Sequence, residues 1–237
     1  MERIFKQIRR VWAVFPVLLL LFSACSKGEW IARDAGEMDG PYMDSGNDSS
    51  DLAVGTVRSR DDVRFIQLDA VSAGYVVNPG EIKDISDGTR VFLQYRTVVS
   101  SSTPDFCTDA ILVEWASPLD VGEIRYVLDA LEGDPVSLIL DWITCLEDGF
   151  LTLHYSVPSK GKAQHTFALY PGATPYEYRL VHEAHGDTEG DLTEGIVCFP
   201  VGDLLPGTGD GTAILSMTYL NSDHTWKKLT VEYRSPK

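Results

Sequence analysis

"DPVSLILDWITCLEDGFLTLHYSVP" occupies residues 134–158, and its alternation decides the fold class. Val136, Leu138, Leu140 and Trp142 share one parity. Leu151, Leu153, Tyr155 and Val157 share another, with Thr152, His154 and Ser156 between them. Successive side chains of a strand point to opposite faces, so both runs read as half-buried strands. Asp148-Gly149 is a two-residue hairpin signal, because both positions tolerate positive φ. The pattern predicts a hairpin with Trp142 in the core and Thr152, His154 and Ser156 facing away from it.

The same style extends in both directions. "VRFIQLDA" (63–70), "TRVFLQYRTVV" (89–99) and "DAILVEWAS" (109–117) are apolar runs separated by the turn clusters "NPG", "SDG" and "SSSTPD". Leu215, Met217 and Tyr219 alternate near the C-terminus, as do Leu229, Val231 and Tyr233. No long helical period occurs after the leader; "VLDALEG" (127–133) and "VGDLLPG" (201–207) each have room for one or two helical turns. The expected fold class is all-β, as one large domain or two small ones. A junction is expected near 127–135, where alternation stops at Gly133-Asp134-Pro135.

The first 25 residues give an address. Arg3, Lys6, Arg9 and Arg10 precede the apolar run Val11–Phe22, which is too short to serve as a stop-transfer helix. Ser23 and Ala24 are small, and Cys25 follows at once, an order that resembles the lipobox of bacterial lipoproteins. Residues 1–24 are therefore expected to be a signal peptide and Cys25 the lipidated N-terminus, with membrane contact made through the lipid. Cleavage removes four Lys/Arg and one Glu, which takes the net charge from −15 to −18. So acidic a chain repels phosphate backbones, and nucleic acid is not an expected partner. Residues 25–51 are rich in Gly, Ser, Asp and Glu and read as a flexible acidic tether.

The leader with Cys25, the β segments, and then "DPVSLILDWI", "DGFLTLHYSV", "QHTFAL", "YRLVHEAHGD" and "GIVCFPVGDL" in that order resemble the NigD-like lipoproteins of Bacteroidetes. The matching features are Asp134-Pro135, the strands around Asp148-Gly149, His165, His182 with Gly186-Asp187, and Gly195-x-Val197-x-Phe199 ahead of Leu204. The resemblance implies an N-terminal OB-like β-barrel, placed at 52–127, and a C-terminal β-sandwich, placed at 128–237. It also implies an envelope location, with the outer membrane expected and the exposed face left open. The family takes its name from a bacteriocin gene cluster and carries no assigned activity.

Reactive constellations are sparse. His182 and His185 lie three apart in a strand-and-turn context, whereas a helical zinc pair needs a spacing of four on one helix face. No metal or cofactor site is expected. His165 and His182 share parity with apolar neighbours and read as core histidines. The acidic loop 185–195 lacks the ligand order of an EF-hand and reads as solvated. There is no nucleophile elbow, phosphate loop or dinucleotide fingerprint, so no catalytic residue is nominated. Cys107, Cys145 and Cys198 sit in or beside apolar runs and read as reduced structural thiols; a Cys145–Cys198 bridge is the one pairing left open. The expected function is a non-enzymatic accessory, binding or immunity-type protein of the envelope that contacts an unidentified envelope protein or small ligand. The alternative is a carbohydrate-binding module, with Trp115, Trp142 and Trp226 as the aromatics that would decide it.

Overall fold

A computed structural model describes residues 42–44, 50–69, 73–126, 133–205 and 212–233. The leader, Cys25 and most of the expected tether lie outside the described residues. Three residues within that tether stretch form β1 (Tyr42–Asp44).

The N-terminal unit contains β2 (Asp51–Arg60), β3 (Val63–Leu68), β4 (Ala73–Val76), β5 (Arg90–Ser100) and β6 (Asp109–Pro118). They close as β2-β3-β4-β6-β5 and back to β2, with β4 and β6 parallel and the other pairs antiparallel; β1 adds to β5. This is a five-stranded barrel with OB-like order, as the resemblance implied. Alternation explains the interior: Val57, Ile66, Leu93 and Ile111 are fully buried. A 3₁₀ turn at Pro79–Ile82 sends Ile82 into that core as well. Asn78 holds the turn against β6 by donating to the Val113 carbonyl and accepting from the Val113 amide.

The second unit contains β7 (Asp120–Val121), β8 (Glu123–Ile124), β9 (Ser137–Ile139), β10 (Cys145–Glu147), β11 (Phe150–Ser159), β12 (Thr166–Pro171), β13 (Glu177–Glu183), β14 (Asp191–Pro200), β15 (Ala213–Leu220) and β16 (Trp226–Tyr233). One sheet runs β10-β11-β14-β7, with β9 beside β11; the other runs β16-β15-β13-β12-β8. The sheets enclose Leu151, Leu153, Leu169, Leu180, Phe199, Leu215 and Met217, all nearly inaccessible to water. This is the expected sandwich. β7 and β8 precede the junction read near 127–135, yet each pairs with a sandwich sheet. Strands of two residues leave no periodic trace in sequence.

The hairpin around Asp148-Gly149 forms, with both residues at positive φ. Its first arm differs from the expected one. Glu147, Leu146 and Cys145 oppose Phe150, Leu151 and Thr152, and the next pair along that edge is Ile139 with His154. One residue of β11 is thus matched by the five residues 140–144, which must leave the sheet. Leu140 is 67% exposed and Trp142 55% exposed, so the expectation that Trp142 is core is corrected. The expected outward face of β11 is also buried at Thr152 and His154, because other parts of the chain cover it.

Candidate functional site

The barrel and sandwich meet along a polar seam that begins with Arg90. Arg90 starts β5 with its side chain on the outside of the barrel, yet that side chain is completely buried. Its guanidinium donates to Thr56 Oγ1 (3.2 Å) and Thr152 Oγ1 (3.2 and 3.3 Å), pairs with the Asp69 carboxylate, and lies over the Phe150 ring. Thr56 and Asp69 belong to the barrel side, and Thr152 and Phe150 to β11. Cys145 donates its thiol proton to the same Asp69 oxygen. At the margin, Arg58 of the barrel pairs with Asp148 at 2.8 Å.

The 140–144 excursion emerges beside this seam. Its neck is closed by Thr144, whose hydroxyl donates to the Ile139 carbonyl (2.7 Å) and accepts the His154 amide (3.1 Å). Inside it, Asp141 accepts from the Ile143 amide and pairs with His154 Nδ1 at 2.8 Å. The backbone is therefore fixed by side chains, and Trp142 is displayed from a rigid loop. Its ring stacks on Phe92 of the barrel, which meets Trp115 edge-on at 5.5 Å. Trp115 is half-buried and donates its indole N–H to Gln94. An aromatic strip thus crosses the seam and ends in the exposed pair Leu140 and Trp142. An exposed, rigidly held aromatic beside an aliphatic residue suits an interface anchor.

Other candidates resolve into structural roles. His182 is buried on β13 and His185 is exposed in the following turn at positive φ, bonded to Thr166. They make no common site, and no group of three His, Cys, Asp or Glu suited to a metal occurs among the described residues. His182 instead stacks on His165, with 2.8 Å between its Nε2 and His165 Nδ1. The carbonyls of Asp134 and Pro135 face His182 Nδ1, so that nitrogen carries the hydrogen and Nε2 accepts from His165. Burial, then the neighbouring His165, lowers the His182 pKa. Asp187 was expected in a solvated loop but is buried. It accepts from the Lys160 and Lys162 amides and the Ser159 hydroxyl, which holds its carboxyl well below the usual range. It thereby ties the Ser159 hydroxyl and the loop backbone together, with His165 Nε2 at 3.8 Å.

Cys107, Cys145 and Cys198 are all free. Cys145 and Cys198 both lie level with Thr152, on opposite sides of β11. Two strand spacings separate them, about 9–10 Å, beyond the roughly 7 Å that a disulfide spans. Burial pushes the Cys198 thiol from 9.0 to about 11 despite Arg90 nearby, and burial and then Asp69 push Cys145 up as well. The folded state therefore keeps a proton that the unfolded chain releases near pH 9. Stability should be intact below pH 9 and fall as pH rises towards 11, with Cys198 contributing about 3 kcal/mol of that loss. Urea midpoints at pH 8 and pH 11 should differ less for Cys198→Ala than for the parent; equal differences would refute this role.

Arg90, Asp69 and the 140–144 loop were not singled out by sequence reasoning. The one available signal was an arginine opening an apolar strand run.

Residues 121–233 match the family described as the NigD-like C-terminal beta sandwich domain. No curated protein sequence matches the chain. Among solved structures, a Parabacteroides distasonis protein provisionally described as toxin-related is 21% identical, covering 79% of this chain and 94% of its own, with a TM-score of 0.65. A NigD-like immunity protein from Bacteroides caccae is 17% identical over 79% and 98%, with a TM-score of 0.56. A Bacteroides fragilis protein provisionally described as a lipoprotein is 10% identical over 80% and 100%, also at 0.56. The family resemblance drawn from the sequence is borne out, and these structures share its fold.

Proposed function

We propose that this chain, whose residues 121–233 are a NigD-like C-terminal beta sandwich domain, is a non-enzymatic accessory protein of the cell envelope that works by binding a partner protein. In this reading residues 1–24 are removed as a signal peptide and Cys25 carries the lipid. Residues 25–51 tether two β domains to the outer membrane. The observation that carries the binding function is the exposed Leu140–Trp142 pair on a loop braced by Thr144 and Asp141. Structural neighbours described as an immunity protein and as a lipoprotein support the accessory role and the envelope address. The non-enzymatic reading is supported by His165, His182 and Asp187, whose chemistry is used in the fold's own hydrogen bonds. The carbohydrate reading attaches to a different surface, the outer face of the sheet that carries Trp226.

Two measurements test the proposal in cells. Cys25→Ala should move the protein from the membrane fraction to the soluble fraction and remove the acyl mass; membrane retention of that variant would overturn the anchor. A photo-crosslinking amino acid at position 140 should give one discrete protein adduct. Trp142→Ala should weaken that adduct by at least tenfold, as expected for an interface anchor worth about 2 kcal/mol or more. No adduct at 140, or an equal one at the exposed barrel position Asp87, would overturn the binding surface.

A further inference from the structure

Trp142 is the middle residue of a turn made by its own neighbours. The Asp141 carboxylate accepts the Ile143 amide through one oxygen (3.0 Å), two residues on, which closes an Asx turn around Trp142. Its other oxygen faces His154 Nδ1 at 2.8 Å. Ile143 is buried and anchors the far side of the turn. The direction in which Trp142 is displayed therefore depends on the hold that His154 has on Asp141.

His154 projects from β11 between two carboxylates. Its Nδ1 meets Asp141, and its Nε2 lies 3.5 Å from Glu194 of β14. The strand register sets this up: His154 opposes Ile196, and Glu194 opposes Ser156, two residues further along the same face. A carboxylate only accepts, so each ring nitrogen needs a hydrogen to be held there, and an imidazole with hydrogens on both nitrogens is a cation. The neutral ring would turn a nitrogen lone pair towards Glu194. The His154 side chain is 5% exposed, so its charge needs partners, and these two carboxylates supply them; at 31% and 37% exposure they stay hydrated themselves. On its other flank β9 brings Ser137, Leu138 and Ile139, none of which titrates in this range. Two residues along β11, at Thr152, Arg90 is paired with Asp69, and burial keeps the thiols of Cys145 and Cys198 protonated.

We infer that His154 is the positioning residue of the Leu140–Trp142 surface. As an imidazolium it holds Asp141, and with it the turn that displays Trp142. When it loses its proton, the Glu194 contact turns repulsive, the bond to Asp141 loses its charge assistance, and the turn loosens. Charge-assisted hydrogen bonds are roughly twice as strong as neutral ones. Display of Trp142 is therefore firmest in mild acid and is lost as pH rises through the range in which histidine changes charge, roughly pH 5–8. A partner held by this surface binds more tightly at the lower pH. Only that last step rests on the proposed binding function; the charge of His154 and the state of the turn are properties of the chain alone.

Fluorine NMR on the protein lacking residues 1–24 and labelled with 5-fluorotryptophan reads the turn directly. The Trp142 signal, identified by its absence in Trp142→Phe, should move between pH 5.5 and 8.5 with one midpoint. His154→Gln should abolish the movement. Glu194→Gln, at a partly exposed position, should lower the midpoint by at least about half a pH unit, because it removes one of the charges that favour the imidazolium. Nitrogen-15 spectra at pH 5.5 should show hydrogen on both His154 nitrogens. In cells suspended at pH 6 or pH 8, the adduct from position 140 should be at least threefold stronger at pH 6, and His154→Gln should show no such difference. A Trp142 signal that ignores pH, or that titrates equally in His154→Gln, would overturn the inference, as would an adduct of equal strength at both pH values. No adduct at either pH with the Trp142 titration intact would remove the binding reading and leave the role of His154 in the turn standing.

Discussion

Arg90→Ala is expected to lower unfolding free energy by about 3–5 kcal/mol, the usual cost of removing one partner from a buried ion pair. The guanidinium is wholly buried, and the Asp69 carboxylate it pairs with is 14% exposed. Alanine would leave that carboxylate with the Cys145 thiol as its only remaining donor among the described residues. It would also leave the Thr56 and Thr152 hydroxyls without the contacts that join the two units. The loss should be concentrated at the seam, so urea unfolding followed by fluorescence should separate into two transitions where the parent shows one. Replacing the pair together, as Arg90→Met with Asp69→Asn, should recover more than half of the loss, because no buried charge is then left alone. A change below 1 kcal/mol for Arg90→Ala would show that the seam is held by apolar packing instead.

Arg90 also marks where sequence reading stops. The strands of both units were legible because period-two alternation survives wherever one face meets a local core, as at Leu93, Leu151 and Met217. The barrel-then-sandwich order followed from the family resemblance. Alternation places Thr152 outward, which is correct for the sandwich core but silent about a second unit lying on that face. Its partner Arg90 is 62 residues earlier, and alternation carries no information about such contacts. The display of Trp142 was hidden for a related reason. Val136, Leu138, Leu140 and Trp142 share one apolar parity, yet the register of β9 and β10 on β11 expels 140–144 from the sheet. Register is a property of two strands, and a one-strand pattern cannot report it. His165 and His182 were legible as buried, but their mutual stacking required the β12–β13 pairing.

Gly122→Ala should destabilise the protein by about 1–3 kcal/mol through overpacking alone. The chain crosses between the two sandwich sheets at this residue. Asp120 and Val121 run parallel to β14, and Glu123 and Ile124 run parallel to β12. The Gly122 amide donates to the Cys198 carbonyl at 2.9 Å, which presses the backbone onto β14. A Cβ built there would lie 2.2 Å from Cε1 of Phe199, whose ring is fully buried in the sandwich core. That separation is inside van der Waals contact, so either the ring or the crossing must move. The ring has little freedom, because interiors are close-packed and off-rotamer side chains are costly. The crossing is held by two short pairings that would loosen together. Phe199→Leu supplies the independent check: it trims the atoms that clash, so Gly122→Ala in that background should cost at least 1 kcal/mol less than in the parent. Equal costs in the two backgrounds would mean that the crossing tolerates a side chain and that Phe199 does not set its path.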